Sequence, residues 1–104
     1  MTIGRLGPDS WHLFELKRPW LLVAEGRALR HCVAEYWTRV QTGRCTIWSL
    51  RLGSRRRLTI EVRMLRMTVV QVRGLQNRLP DPEELDIVER WARANGLALA
   101  DPLG

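Results

Sequence analysis

Cys45-Thr-Ile-Trp-Ser-Leu-Arg-Leu52, Leu58-Thr-Ile-Glu-Val-Arg-Met64 and Thr68-Val-Val-Gln-Val-Arg73 are three short runs in which polar and apolar residues alternate. A period of two is the pattern of half-buried β-strands. Centring the first turn near Arg56 pairs Leu50 with Val62 and Leu52 with Ile60. Centring the second near Arg66 pairs Val62 with Val70 and Ile60 with Val72. One sheet face then reads Trp48, Leu50, Leu52, Ile60, Val62, Met64, Val70, Val72, and the other Ser49, Arg51, Thr59, Glu61, Arg63, Gln71, Arg73. A one-residue slip would exchange the faces, so their consistency supports this register. Arg51, Glu61 and Gln71 fall side by side on the polar face. Neither turn carries an Asn-Gly or Asp-Gly signal. Gly53-Ser54-Arg55-Arg56-Arg57 reads as a five-residue loop and Leu65-Arg66-Met67 as a tight turn without glycine.

The flanking segments read as helices. Leu29, Cys32, Val33, Tyr36, Trp37 and Val40 follow amphipathic helical spacing over about Gly26 to Gln41, with Gly43 at the C-terminal glycine position. Pro19 interrupts any earlier helix. After a Gly74–Leu79 loop, Asp81 is an N-cap, Pro82 suits the first helical position, and Glu83 and Glu84 complement the dipole. Leu85, Val88, Trp91 and Ala92 form the stripe of this second helix, which Gly96 ends. Trp11–Leu16 could add an N-terminal strand, residues 1–10 read as a loose lead-in, and 98–104 as a tail. The expected fold class is α+β: a two-layer domain with a three-stranded antiparallel meander between two amphipathic helices. The helices cover the apolar face and leave the polar face open. The 104 residues suit one domain, 1–104.

Composition narrows the function classes. No apolar run approaches the ~20 residues of a membrane span, and no secretory signal is visible. Cys32 and Cys45 are the only cysteines, which fits a reduced, cytoplasmic protein. Two Cys and two His without close spacing make a poor metal site, and nothing calls for a cofactor. The cations are sixteen Arg and Lys17, and the formal net charge is +6. A GC-rich coding bias would produce the same Arg-to-Lys ratio, but the charge itself points to nucleic acid or an acidic protein surface as partner. A membrane partner is not expected.

The polar row offers a candidate catalytic set: Arg51 to bind an anion, Glu61 to orient it or act as base and Gln71 to read a polar group, with His31 as a fourth member. His31 reaches the row around a sheet edge if the first helix packs on the apolar face, or directly if that helix borders the sheet. The same residues would also make an ordinary solvated ion-pair face. Cys32 could serve as a nucleophile beside His31, but it falls within the apolar stripe and reads as a buried core cysteine. Arg55, Arg56 and Arg57 in the turn, with Arg63 and Arg73 on the polar face, form a candidate nucleic-acid-binding set. Trp37, Trp48 and Trp91 fall on apolar faces and read as core.

Leu29-Arg30-His31-Cys32-Val33 with Tyr36, then Gly43, Ser49-Leu50-Arg51, Thr59-Ile60-Glu61, Gln71-Val72-Arg73-Gly74, Asn77 and the Trp91-Ala92 helix resemble the PcfJ-like family from about Leu22 to Leu97. The resemblance implies association with conjugative plasmids and other mobile elements. Its members are often longer, with this region towards the C-terminus. The polar signature it implies falls on His31, Cys32, Tyr36, Ser49, Arg51, Glu61, Gln71 and Asn77. Three readings follow. The first is a small basic module of a mobile element or a defence or counter-defence system, binding nucleic acid or a nucleic-acid-associated complex through arginines. The second is a compact hydrolase or transferase using Arg51, Glu61, Gln71 and His31, with Cys32 or Tyr36 assisting. The third is a protein-binding adaptor or inhibitor.

Overall fold

The computed structural model describes residues 2–6 and 9–103, with side chains from residue 10 onward. Six strands form one curled, mixed sheet in sequence order: β1 (Thr2–Leu6), β2 (Asp9–Glu15), β3 (Cys45–Leu52), β4 (Arg55–Arg63), β5 (Thr68–Arg73) and β6 (Ala98–Leu99). All neighbours are antiparallel except β5 and β6. Three α-helices accompany it: α1 (Pro19–Leu29), α2 (Trp37–Gln41) and α3 (Pro82–Ala94). The α+β class and the β3–β5 meander agree with the alternation in the sequence, and the Trp11 segment is a full strand. Part of the expected lead-in forms β1, and part of the expected tail forms β6. Met1, Gly7, Pro8 and Gly104 lie outside the described residues.

The domain has three layers rather than two. On one face, Ile87, Val88, Trp91 and Ala92 of α3 pack on Trp11, Leu13, Leu50, Leu58, Ile60, Val62, Val69 and Val72. Asp81 caps α3 through a capping box with Glu84, as its sequence predicts. On the opposite, polar face sit α1 and the segment after it. Leu16, Leu22 and Val33 there form a second core with Cys45 and Ile47. These two residues precede Ser49 on the polar-facing side of β3, so that face opens with an apolar seat for α1. The expected open polar face is therefore covered.

The first helix is displaced from its expected place. Pro19 begins α1 at its first turn instead of blocking it, and Arg30 ends it in the left-handed conformation at φ 54°. The chain then turns back through a short 3-10 turn, Val33–Tyr36, into α2. Gly26 makes the reversal feasible: a Cβ there would lie 2.9 Å from the His31 carbonyl oxygen. The apolar spacing over 26–41 runs on across the end of α1, the 3-10 turn and α2.

The first hairpin also departs from the expected register. Leu52 pairs with Arg55, leaving only Gly53 and Ser54 as the loop, with Gly53 at φ 60°. Arg55, Arg56 and Arg57 are strand residues, not turn residues. Leu50 consequently pairs with Leu58 and Trp48 with Ile60, and a bulge places Arg51 opposite Arg56. The shift is even-numbered, so the faces survive while the neighbours change. Arg51 is not beside Glu61, whose partner on β3 is Ile47. Four strand residues, about 13 Å, separate Ile47 from Arg51. The second hairpin keeps Glu61 opposite Gln71 and Ile60 opposite Val72, and a bulge then puts Val69, not Val70, opposite Val62 and in the core.

Candidate functional site

Glu25 organises the polar face. It is fully buried on α1 and collects three side-chain donors. Its Oε1 accepts from Ser49 Oγ at 2.9 Å and Arg56 Nε at 3.0 Å, and its Oε2 accepts from Thr59 Oγ1 at 2.7 Å. Thr59 has one proton and gives it to the carboxylate, so the contact with His31 Nε2 at 2.8 Å makes the imidazole the donor. The neutral ring then has its lone pair on Nδ1, which is buried without a partner. Burial lowers the His31 pKa, opposed by its own backbone and by the Glu25 charge. Arg51 joins this end of the face: its Nε donates to Ser49 Oγ at 3.1 Å and its guanidinium lies 4.8 Å from the Phe14 ring centre. Burial and then the neighbouring Arg56 lower the Arg51 pKa.

Beyond His31 the face opens into a cleft of about 110 Å³. Its wall includes Cys32, Glu35, Tyr36, Glu61, Gln71, Arg73 and Asn77. Tyr36 Oη donates to Gln71 Oε1 at 3.3 Å, tying the 3-10 turn to β5. Glu61 Oε2 lies 3.0 Å from Arg63 Nε and 3.7 Å from Arg39 Nη1, so two guanidiniums share one nearly buried carboxylate. Arg39 also stacks 4.9 Å from the Tyr36 ring centre. Arg73 lines the cleft and, among the described residues, donates to the Val72 carbonyl at 3.0 Å. Gln76 and Asn77 adopt successive left-handed conformations at φ 54° and 63°, bringing Asn77 to the rim.

The candidate residues thus separate into groups. His31, Glu61 and Gln71 meet around the cleft, while Arg51 belongs to the Glu25 network. Cys32 is exposed at the cleft, not in the core, because the helix expected to bury it ends at Leu29. Cys45 is the buried cysteine, and burial and then the Glu61 charge push its thiol pKa up. Arg56 serves Glu25. Arg57 serves α3: its Nε donates to buried Glu84 at 2.8 Å and its Nη2 to Asp81 at 3.3 Å. Arg78 completes that cluster with two 2.8 Å bonds to Glu84. Gly74 lets this cluster close, since a Cβ there would meet the Arg57 carbonyl at 2.9 Å and the Arg78 side chain at 2.8 Å. Arg55 and Arg63 are exposed. Among the described residues no group of three or more His, Cys, Asp and Glu side chains could hold a metal, and no helix is long and apolar enough to cross a membrane.

Glu25, Thr59 and Arg39 were absent from the candidate set. The signal for Glu25 is its place directly after the apolar run Trp20-Leu21-Leu22-Val23-Ala24, on a helix that begins at Pro19. Six of the eight polar positions carrying the family resemblance line the cleft: His31, Cys32, Tyr36, Glu61, Gln71 and Asn77. The other two, Ser49 and Arg51, reach it through the Glu25 network. The family model described as PcfJ-like protein matches residues 20–89. No curated protein and no solved structure matches the chain. The matched segment runs from α1 into α3 and contains every residue of the cleft, and the chain belongs to the PcfJ-like protein family.

Proposed function

We propose that the chain is a nucleic-acid-binding module of a mobile genetic element that takes a phosphate-bearing strand at the cleft. The observation carrying this reading is the crowding of Arg39 and Arg63 on the single carboxylate of Glu61, beside Arg73. The three guanidiniums outweigh the Glu61 and Glu35 carboxylates of the same cleft and favour an anion at its mouth. Gln71 and Asn77 supply uncharged donors beside them. Arg56, Arg57 and Arg78 are tied to buried Glu25 and Glu84, so of the 55–57 run Arg55 alone is left to a partner. The test is fluorescence anisotropy with labelled single- and double-stranded oligonucleotides over a salt series. Log affinity should fall linearly with log salt, and Arg73→Ala and Arg63→Ala should each reduce the slope by about one. Affinity that ignores salt, or no binding at low salt, contradicts the reading.

The enzymatic reading ranks second, and the Glu25–Thr59–His31 chain favours it. The chain resembles a proton-relay geometry, yet His31 has Nε2 engaged by Thr59 and Nδ1 buried. Neither nitrogen is free to act on a group in the cleft without a turn of the ring. Substrate turnover that survives purification and disappears in His31→Ala, with the fold retained, would promote this reading over the first.

A further inference from the structure

The turn between β4 and β5 is the most exposed apolar point among the described residues. Leu65 is 96% exposed, flanked by the partly exposed Met64 and Met67. Met67 adopts φ 46°, a left-handed conformation in which glycine is free and a side chain is strained. The surroundings are basic: Gly43, Arg44, Arg63, Arg66 and Val70 line one groove with Met64 and Leu65, and no acidic residue lines it. Arg44 and Arg66 form no ion pair among the described residues, and the Arg44 carbonyl accepts from Met64 N–H at 3.1 Å, which holds β3's entry against the turn. Arg63 belongs to this groove and also to Glu61 at the cleft, so the two surfaces are continuous.

We infer that this turn is a wedge for double-stranded DNA, with Leu65 entering between neighbouring base pairs while Arg44, Arg63 and Arg66 hold the flanking phosphates. The inference rests on the nucleic-acid reading above and specifies its substrate class. Apolar side chains flanked by arginines are a recurrent means of unstacking a base step. The charge is complementary to phosphate along the groove on the Arg44, Arg63 and Arg66 side of the tip. One leucine with two methionines matches a single base step and is small beside the apolar face of a membrane-bound helix.

A wedge has a signature that phosphate contacts lack. Where a base step is already weakened, less unstacking is needed, so a mismatched duplex should bind more tightly than the perfect one. The experiment compares a short perfect duplex with the same duplex carrying one mismatch, at fixed salt, for the whole chain and for Leu65→Ala. Leu65 is so exposed that its truncation leaves the core untouched. The wild type should favour the mismatched duplex roughly tenfold, and Leu65→Ala should lose that preference while binding the perfect duplex within about threefold of wild type. Arg44→Ala and Arg66→Ala should weaken both duplexes alike. No mismatch preference, or one that survives in Leu65→Ala, overturns the wedge and leaves salt-dependent DNA binding standing. Failure to bind either duplex, with binding to phosphatidylserine vesicles instead, overturns the wedge and the nucleic-acid reading together.

Discussion

Two buried glutamates tie the helices to the two faces of the sheet, Glu25 on α1 and Glu84 on α3. Glu84 is fully buried between Arg57 and Arg78. Burial pushes its carboxyl pKa up, but the Arg78 hydrogen bonds, the Asp81 amide and the charges of Arg78 and Arg57 outweigh that and leave it lowered. Its stabilising contribution is therefore full above the unfolded carboxyl value and is lost as pH falls through the lower folded value. Glu84→Gln should cost about 2–3 kcal/mol in urea unfolding at neutral pH, less than a fully buried pair because both guanidiniums reach solvent. That deficit should shrink in acid. His31 provides a second pH window. Burial holds its folded pKa below the ordinary imidazole value of 6.5, so the neutral ring is favoured by folding. Its contribution is present above 6.5 and lost as pH falls through the folded value. Wild-type melting temperature should therefore drop more between pH 7.5 and pH 5 than that of His31→Gln, which cannot titrate. Parallel pH profiles would show that His31 is not held neutral by its burial.

At the scale of elements, the end of α1 decides what the polar face becomes. Gly26 lets the His31 backbone fold back, and the His31 ring reaches Thr59 as a result. Gly26→Ala gains up to about 1 kcal/mol of helix propensity but drives a methyl group against a backbone oxygen, so a net loss of about 1–3 kcal/mol is expected in denaturant melts. A stabilised Gly26→Ala variant would contradict the reversal. The same element marks the limit of what the sequence conveys. Strand alternation in Cys45–Arg73, the capping of α3 and the Glu61–Gln71 pairing are local or period-two properties, and they were legible. The break at Arg30 was not, because a left-handed arginine carries no glycine signal and the apolar spacing runs on across it. The β3–β4 register failed for a related reason: Gly53-Ser54 closes a two-residue loop, and the arginines after it look like loop residues although they extend the strand. The break at Arg30 puts Cys32 at the cleft instead of in the core, and the β3–β4 register takes Arg51 away from Glu61.

At the scale of the whole molecule, the sheet is enclosed between α3 and α1 and presents its remaining chemistry at one end. The excess of arginine divides into two classes there. Arg56, Arg57 and Arg78 act internally, neutralising carboxylates that the fold buries. Arg39 and Arg63 share the Glu61 carboxylate with their own side chains about half exposed, Arg73 lines the cleft, and Arg44 and Arg66 line the groove at the β4–β5 turn, where no carboxylate lies. A charge total of +6 could not distinguish these classes, whereas the partners of each guanidinium do. Removing an internal arginine should lower stability without altering the salt slope of binding, and removing one at the cleft should do the reverse. Two-dimensional NMR of the ¹⁵N-labelled chain during titration with a short DNA duplex at low salt tests the account most directly. The account predicts progressive shifts at the amides of Cys32, Tyr36, Gln71, Arg73 and Asn77, and at Arg44, Arg63 and Leu65. Unchanged cleft and turn amides at saturating DNA, or shifts confined to the α3 face, would contradict it.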